Sequence, residues 1–145
     1  MFNFSNFIKL MQAIFVAAIA VFATSAAAKD SFFKDFAAYE EFVDSSIMRR
    51  DFIPLIQKLG GRDEYTPEQL SASNAQLLNV FRANFKDRSV FKVVELGGGV
   101  RQEARMYWIG SSYAFYYALL HQREDGLVVL RFALNSSSDK IMGLF

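Results

Sequence analysis

The sequence predicts an α+β domain in which N-terminal helices pack on a curved antiparallel sheet. Three observations predict it. Apolar residues recur at spacings of three and four before about residue 85. From Val90 onward the spacing becomes two. The alternating runs are separated only by short glycine- and aspartate-rich turns, and such short connections imply an antiparallel meander.

Ahead of the domain, Met1 to Ala28 has the three parts of a cleavable signal peptide. Lys9 is its only charged side chain, Leu10 to Phe22 is an apolar run interrupted by Gln12, and Ala26 and Ala28 form an A-x-A site. The run is shorter than the roughly 20 residues that span a bilayer, so membrane contact is expected only in transit. These features predict a periplasmic or secreted protein whose single domain is residues 29–145. Removing 28 of 145 residues leaves 117, enough for one core and no second domain.

The first helix is expected from Asp30 to about Met48, with Phe32, Phe33, Phe36, Tyr39, Phe42, Val43 and Ile47 on its apolar stripe and Asp30 or Ser31 as cap. A second runs from Arg50 or Asp51 to Leu59, closed by Gly60-Gly61. Thr66-Pro67-Glu68-Gln69 opens the third with a capping-box pattern, and Leu70, Leu77, Leu78, Phe81 and Phe85 carry it toward Asn84. Strands follow at Phe91–Leu96, Val100–Ile109, Ser112–Gln122, Leu127–Asn135 and Ile141–Phe145. In the fourth strand Val128, Leu130, Phe132 and Leu134 are expected to share a face by strict alternation. The third and fourth strands hold apolar residues on both faces, so the face away from the helices needs a cover, and a homodimer through it is the expected one.

Composition excludes several chemistries. Cysteine is absent, so disulfides and thiolate catalysis are excluded. The signal segment holds one of 16 Lys+Arg and none of 15 Asp+Glu, leaving 15 of each sign, a balance that attracts no nucleic acid. His121 is the only histidine, which removes paired-histidine metal sites. It reads as a solvated residue near a strand end, with a general base or pH sensor as the alternative. Gly97-Gly98-Gly99 has no helix start or Lys-Ser/Thr pair behind it and is read as a turn, not a phosphate cradle. No cofactor is expected.

The layout, together with the closing stretch Asp139-Lys140-Ile141-Met142-Gly143-Leu144-Phe145, resembles the cystatin-like superfamily of nuclear transport factor two and ketosteroid isomerase. The resemblance covers Ser31 to Phe145 and implies a cone-shaped space between the first helix and the sheet. In such families that space binds small molecules, hosts isomerase or dehydratase chemistry, or simply forms a core, and dimers through the sheet face are common. The isomerase set, an inward base Asp with Tyr and a second acid as oxyanion donors, does not align here.

Candidate residues come from the strands. Arg101, Glu103, Arg105 and Tyr107 alternate on one face and are expected to pair with Glu95 or Arg131 on neighbouring strands, or to line a pocket. The ligand-site expectation is Arg101, Arg105, Tyr107, Trp108, Arg131 and Tyr117, taking a small hydrophobic or anionic ligand. The leading functional expectation is a non-catalytic module that binds a small molecule or a protein. The alternative is a small isomerase- or dehydratase-like enzyme using Glu95, Glu103 or Asp44 with a tyrosine. A third reading, a purely structural module, has no cavity at all.

Overall fold

The computed structural model describes residues 31–60 and 65–145. The expected signal segment lies outside them. Within them the fold is α+β: helices precede most of a five-stranded antiparallel sheet that is not closed. The elements are β1 (Phe32–Phe33), α1 (Phe36–Arg49), α2 (Phe52–Gly60), α3 (Pro67–Val80), β2 (Asp87–Gly97), β3 (Val100–Ile109), β4 (Ser112–Arg123), β5 (Gly126–Asn135) and α4 (Ser138–Met142). The sheet order is β1-β5-β4-β3-β2. No described helix is long and apolar enough to cross a membrane.

The first helix begins later than its apolar spacing predicts. Phe32 and Phe33 pair with Val128 and Leu127, and Val129 N donates to Ser31 O at 3.0 Å. The outer edge of β5 thereby gains partners for backbone groups that would otherwise lie unpaired beside the core. Asp35, not Asp30 or Ser31, is the cap, its carboxylate accepting from Ala38 N at 2.8 Å. At the far end Arg50 adopts a left-handed conformation, φ 61°. Its side chain ties that turn down, Nε donating to Asn84 and NH1 to Phe81 O.

The capping box at Thr66 forms as expected, with Gln69 N donating to Thr66 Oγ1 at 3.2 Å and Thr66 N to Gln69 Oε1 at 2.9 Å. The helix stops at Val80 rather than near Asn84. Phe81 leaves the helical conformation, and both it and Phe85 are buried, Phe81 against Phe52 and Phe85 against Tyr107. Leu70 is the one buried residue of α3, and Leu78 is exposed, so this helix contributes little more than its ends to the core.

Strict alternation fails in β5. Leu119 opposes Arg131 and Leu120 opposes Val129, so Leu130 is bulged out without a partner. Leu127, Val129, Phe132 and Leu134 consequently share the core beneath the helices, in place of the expected set containing Val128 and Leu130. The core joins them to Phe33, Tyr39, Val43, Ile47, Phe52, Leu55 and Leu59.

The expected last strand is instead α4. Ile141 at its centre is buried against Ala104 and Tyr117, and Leu144 and Phe145 pack beside it. Gln102 Nε2 fastens the tail, donating to Leu144 O at 3.2 Å and to the Tyr117 hydroxyl at 2.9 Å. The C-terminal segment therefore supplies part of the cover for the sheet face away from α1.

Candidate functional site

Helical periodicity places Tyr39, Val43 and Ile47 in line beneath α1, with Glu40 and Asp44 one step round and four residues apart. Alternation in β3 aims Arg101, Glu103, Arg105 and Tyr107 at that helix. The two periodicities meet in a polar network inside an otherwise apolar interface.

Arg105 is its centre and is 2 % exposed. Its Nε donates to Glu103 Oε1 at 2.8 Å and its NH2 to Glu103 Oε2 at 3.4 Å. Its NH1 donates to Glu40 Oε1 at 3.1 Å and Asp44 Oδ1 at 3.2 Å. Tyr39 donates to Glu103 Oε1 at 2.7 Å, and its hydroxyl lies 3.1 Å from that of Tyr116. Tyr107 donates to Asp44 Oδ1 at 2.6 Å, and Arg88 Nε reaches Asp44 Oδ2 at 2.9 Å. Arg101 approaches Glu103 at 3.5 Å, with its guanidinium 4.1 Å from the centre of the Phe36 ring. Arg88, Arg101 and Arg105 thus balance Glu40, Asp44 and Glu103. Among the described residues Arg101 Nε is the one buried side-chain nitrogen or oxygen with no hydrogen-bond partner.

Burial first, then Tyr116 and Glu103, push the Tyr39 hydroxyl well above the ordinary tyrosine pKa. Tyr107 is raised by burial and by Asp44, and Tyr116 chiefly by burial. Burial works against the charge of Arg105, but the bonds and charge of Glu103 outweigh it, so its proton is held more tightly than in a free arginine. The tyrosines act as neutral donors and Arg105 as a permanent cation.

Beside the network, between α1 and β2, lies an open cleft of about 410 Å³ lined by Ala37, Glu40, Glu41, Asp44, Ser45, Met48 and Arg88. A recess of about 160 Å³ bounded by Glu40, Asp44, Arg88, Ser89, Val90 and Arg105 shares part of its wall. No group of three or more His, Cys, Asp or Glu among the described residues is arranged to hold a metal ion.

The six residues expected to form one ligand site divide between two faces. Arg101, Arg105 and Tyr107 join the network beneath α1. Trp108, Tyr117 and Arg131 belong to the opposite face, Arg131 pairing in register with Leu119 and Tyr117 lying under α4. The ladder's partners also differ from expectation: Glu95 stands opposite Arg101 in register, but the bound carboxylates Glu40 and Asp44 come from α1. Tyr39, Glu40 and Arg88 were not legible as site residues. Their one signal is the i, i+4 pair Glu40 and Asp44 flanking the apolar stripe.

On that opposite face four aromatic rings form a strip across three strands. Trp108 and Tyr113 are 6.1 Å apart and stacked, Tyr113 and Phe115 are 6.0 Å apart and within 9° of parallel, and Phe91 meets Phe115 edge-on at 6.2 Å. Tyr113 is 41 % exposed and Phe91 38 %. His121 shares this face and is half-buried, in register with Val100 and Val128.

No protein-family model, curated protein or solved structure matches this chain.

Proposed function

We propose that this chain is a non-catalytic binding module, exported to the periplasm or beyond after loss of Met1 to Ala28, whose single domain is of the cystatin-like type and binds an apolar segment of a protein partner. The observation that carries the reading is the aromatic strip Phe91, Phe115, Tyr113 and Trp108, left partly open beside the cover made by α4. Exposed aromatic groups of this size mark interaction surfaces, because each offers a large apolar area with little side-chain entropy to lose.

The state of the interior supports the same reading. Each nitrogen of Arg105 is engaged by the chain's own carboxylates, through four hydrogen bonds from its five N–H donors, which leaves at most one for an anionic ligand. The layout of helices before an open antiparallel sheet supports the cystatin-like assignment, although the Asp139-Lys140-Ile141 phrase forms a helical turn instead of a closing strand.

Trp108 is the only tryptophan, so its fluorescence reports directly on this surface. A photo-crosslinking side chain at position 113 of the full-length chain, expressed in the source cells, is expected to capture a partner protein. The same group at exposed Ser71 is not. Capture at neither position, with Trp108 emission unchanged by the exported fraction of those cells, would remove the proposal.

A second reading has one specific support: Asp44 and Glu103 each accept a short hydrogen bond from a buried tyrosine, as an isomerase-like acid–base pair requires. Arg105 binds both carboxylates, which disfavours either as a free base. Conversion of a cyclic ketone abolished by Asp44→Asn would favour this reading over the first.

A further inference from the structure

Among the described residues β2 ends the sheet and has no neighbour beyond β3. Eleven residues long, it carries four exposed large apolar side chains, among them Val90 at 41 %, Val93 at 49 % and Leu96 at 56 %. An open edge of this length and character is a template for another strand.

Its register shows which strand fits. Val90 opposes Arg105 and Lys92 opposes Ala104, so Phe91 is an extra, bulged residue. Arg88, Val90, Val93 and Glu95, opposite Tyr107, Arg105, Glu103 and Arg101, therefore all lie on the α1 side. Ser89, Lys92 and Val94 lie on the other. This pattern is unchanged when the strand is turned end for end about the Phe91–Lys92 peptide. Antiparallel neighbours must both direct their backbone groups toward each other or both away, so a regular strand cannot pair with itself about an axis between two residues. The bulge shifts the phase by one and removes that bar.

We propose that a second copy of this chain pairs antiparallel along β2, on a two-fold axis at Phe91–Lys92, joining the two sheets into one of ten strands. Arg88 then faces Glu95 of the partner subunit and Val90 faces Val93 of the partner subunit, each contact occurring twice by symmetry. No like charges oppose each other in this register. A slip of one residue either way sets α1-side residues against residues of the other face, and a slip of two separates Arg88 from Glu95 of the partner subunit, so face and charge together select the register. Arg88 also holds Asp44 and lines the cleft beside α1, so the second copy stands at the mouth of that cleft. The pairing does not depend on the aromatic strip.

Sedimentation of the full-length chain over a range of concentrations tests it. A reversible dimer is expected, weakened about tenfold or more by E95R, which sets arginine against Arg88. Mixing E95R with R88E is expected to restore association, because each mismatched charge then meets its opposite. The chain lacks cysteine, so oxidising a mixture of V90C and V93C is expected to give a disulfide-linked dimer that neither gives alone. A monomer at all concentrations with no mixed disulfide would overturn the proposal. So would a dimer unaffected by E95R, or crosslinking of V93C to a different protein while the pure chain stays monomeric.

Discussion

Arg105 and Glu103 stand two residues apart on β3 and are joined twice, Nε to Oε1 at 2.8 Å and NH2 to Oε2 at 3.4 Å, with both side chains nearly inaccessible to solvent. Neighbours on one strand face and of opposite charge, they can be buried together because α1 brings Glu40, Asp44 and Tyr39 to complete their hydrogen bonds. Removing a single member leaves the others charged and dry, which costs more than the intact network contributes.

Arg105→Met is therefore expected to destabilise the fold by about 3–5 kcal/mol, since Glu103 and Asp44 lose their central counter-ion in the interior. Urea denaturation measures it. The triple variant with Asp44→Leu and Glu103→Leu as well is expected to recover much of that loss, because no uncompensated central charge remains. A cost below about 1 kcal/mol for the single variant contradicts the central role of Arg105.

The tyrosine hydroxyls differ in what they leave behind. Tyr107→Phe removes one donor from Asp44, which keeps Arg105 and Arg88, and is expected to cost about 1 kcal/mol. Tyr39→Phe removes a bond to Glu103 and also the partner of the buried Tyr116 hydroxyl, so about 2 kcal/mol is expected. The order of the two in parallel denaturation curves is the test.

High pH acts on the same groups. Tyr39, Tyr107 and Tyr116 have folded pKa values above the unfolded value of about 10. Their contribution is complete below that pH and is lost as pH rises toward the folded values. Stability is expected to fall above about pH 10, with the phenolate absorbance of three tyrosines appearing together with loss of the folded circular dichroism. Ionisation of all the tyrosines while the fold stays intact would contradict their burial in the network.

Gly126 has φ 149°, and β1 passes close beside it: a Cβ there would meet the Phe33 carbonyl oxygen at 2.5 Å and the Phe32 ring. Gly126→Ala is expected to cost about 2 kcal/mol or more by prising β1 from β5. Gly110, where a Cβ meets nothing, has the lesser positive-φ penalty alone, so Gly110→Ala is the control in thermal unfolding.

Local signals identified what local interactions build. The Thr66 capping box is contained in four residues, and β3 spans Val100–Ile109 as alternation predicts, because neither feature needs a distant partner to choose it. Phe32 and Phe33 fit the helical stripe by spacing, but the open edge of β5, almost a hundred residues on, takes them as a strand. Ile141 to Phe145 alternates like a strand, but the apolar ground around Ala104 and Tyr117 takes Ile141 from a helix instead.

The sequence by itself determined the α+β order, the Thr66 helix cap and the alternating ladder of Arg101, Glu103, Arg105 and Tyr107, since these follow from periodicity and short-range hydrogen bonding. Tertiary structure alone decided that Glu40 and Asp44 answer that ladder, that Leu130 and Phe91 bulge, and that Trp108 and Arg105 belong to opposite faces. The reason is physical: a buried charge must find its counter-ion wherever packing brings one, and the partners of Arg105 on α1 lie more than sixty residues away along the chain.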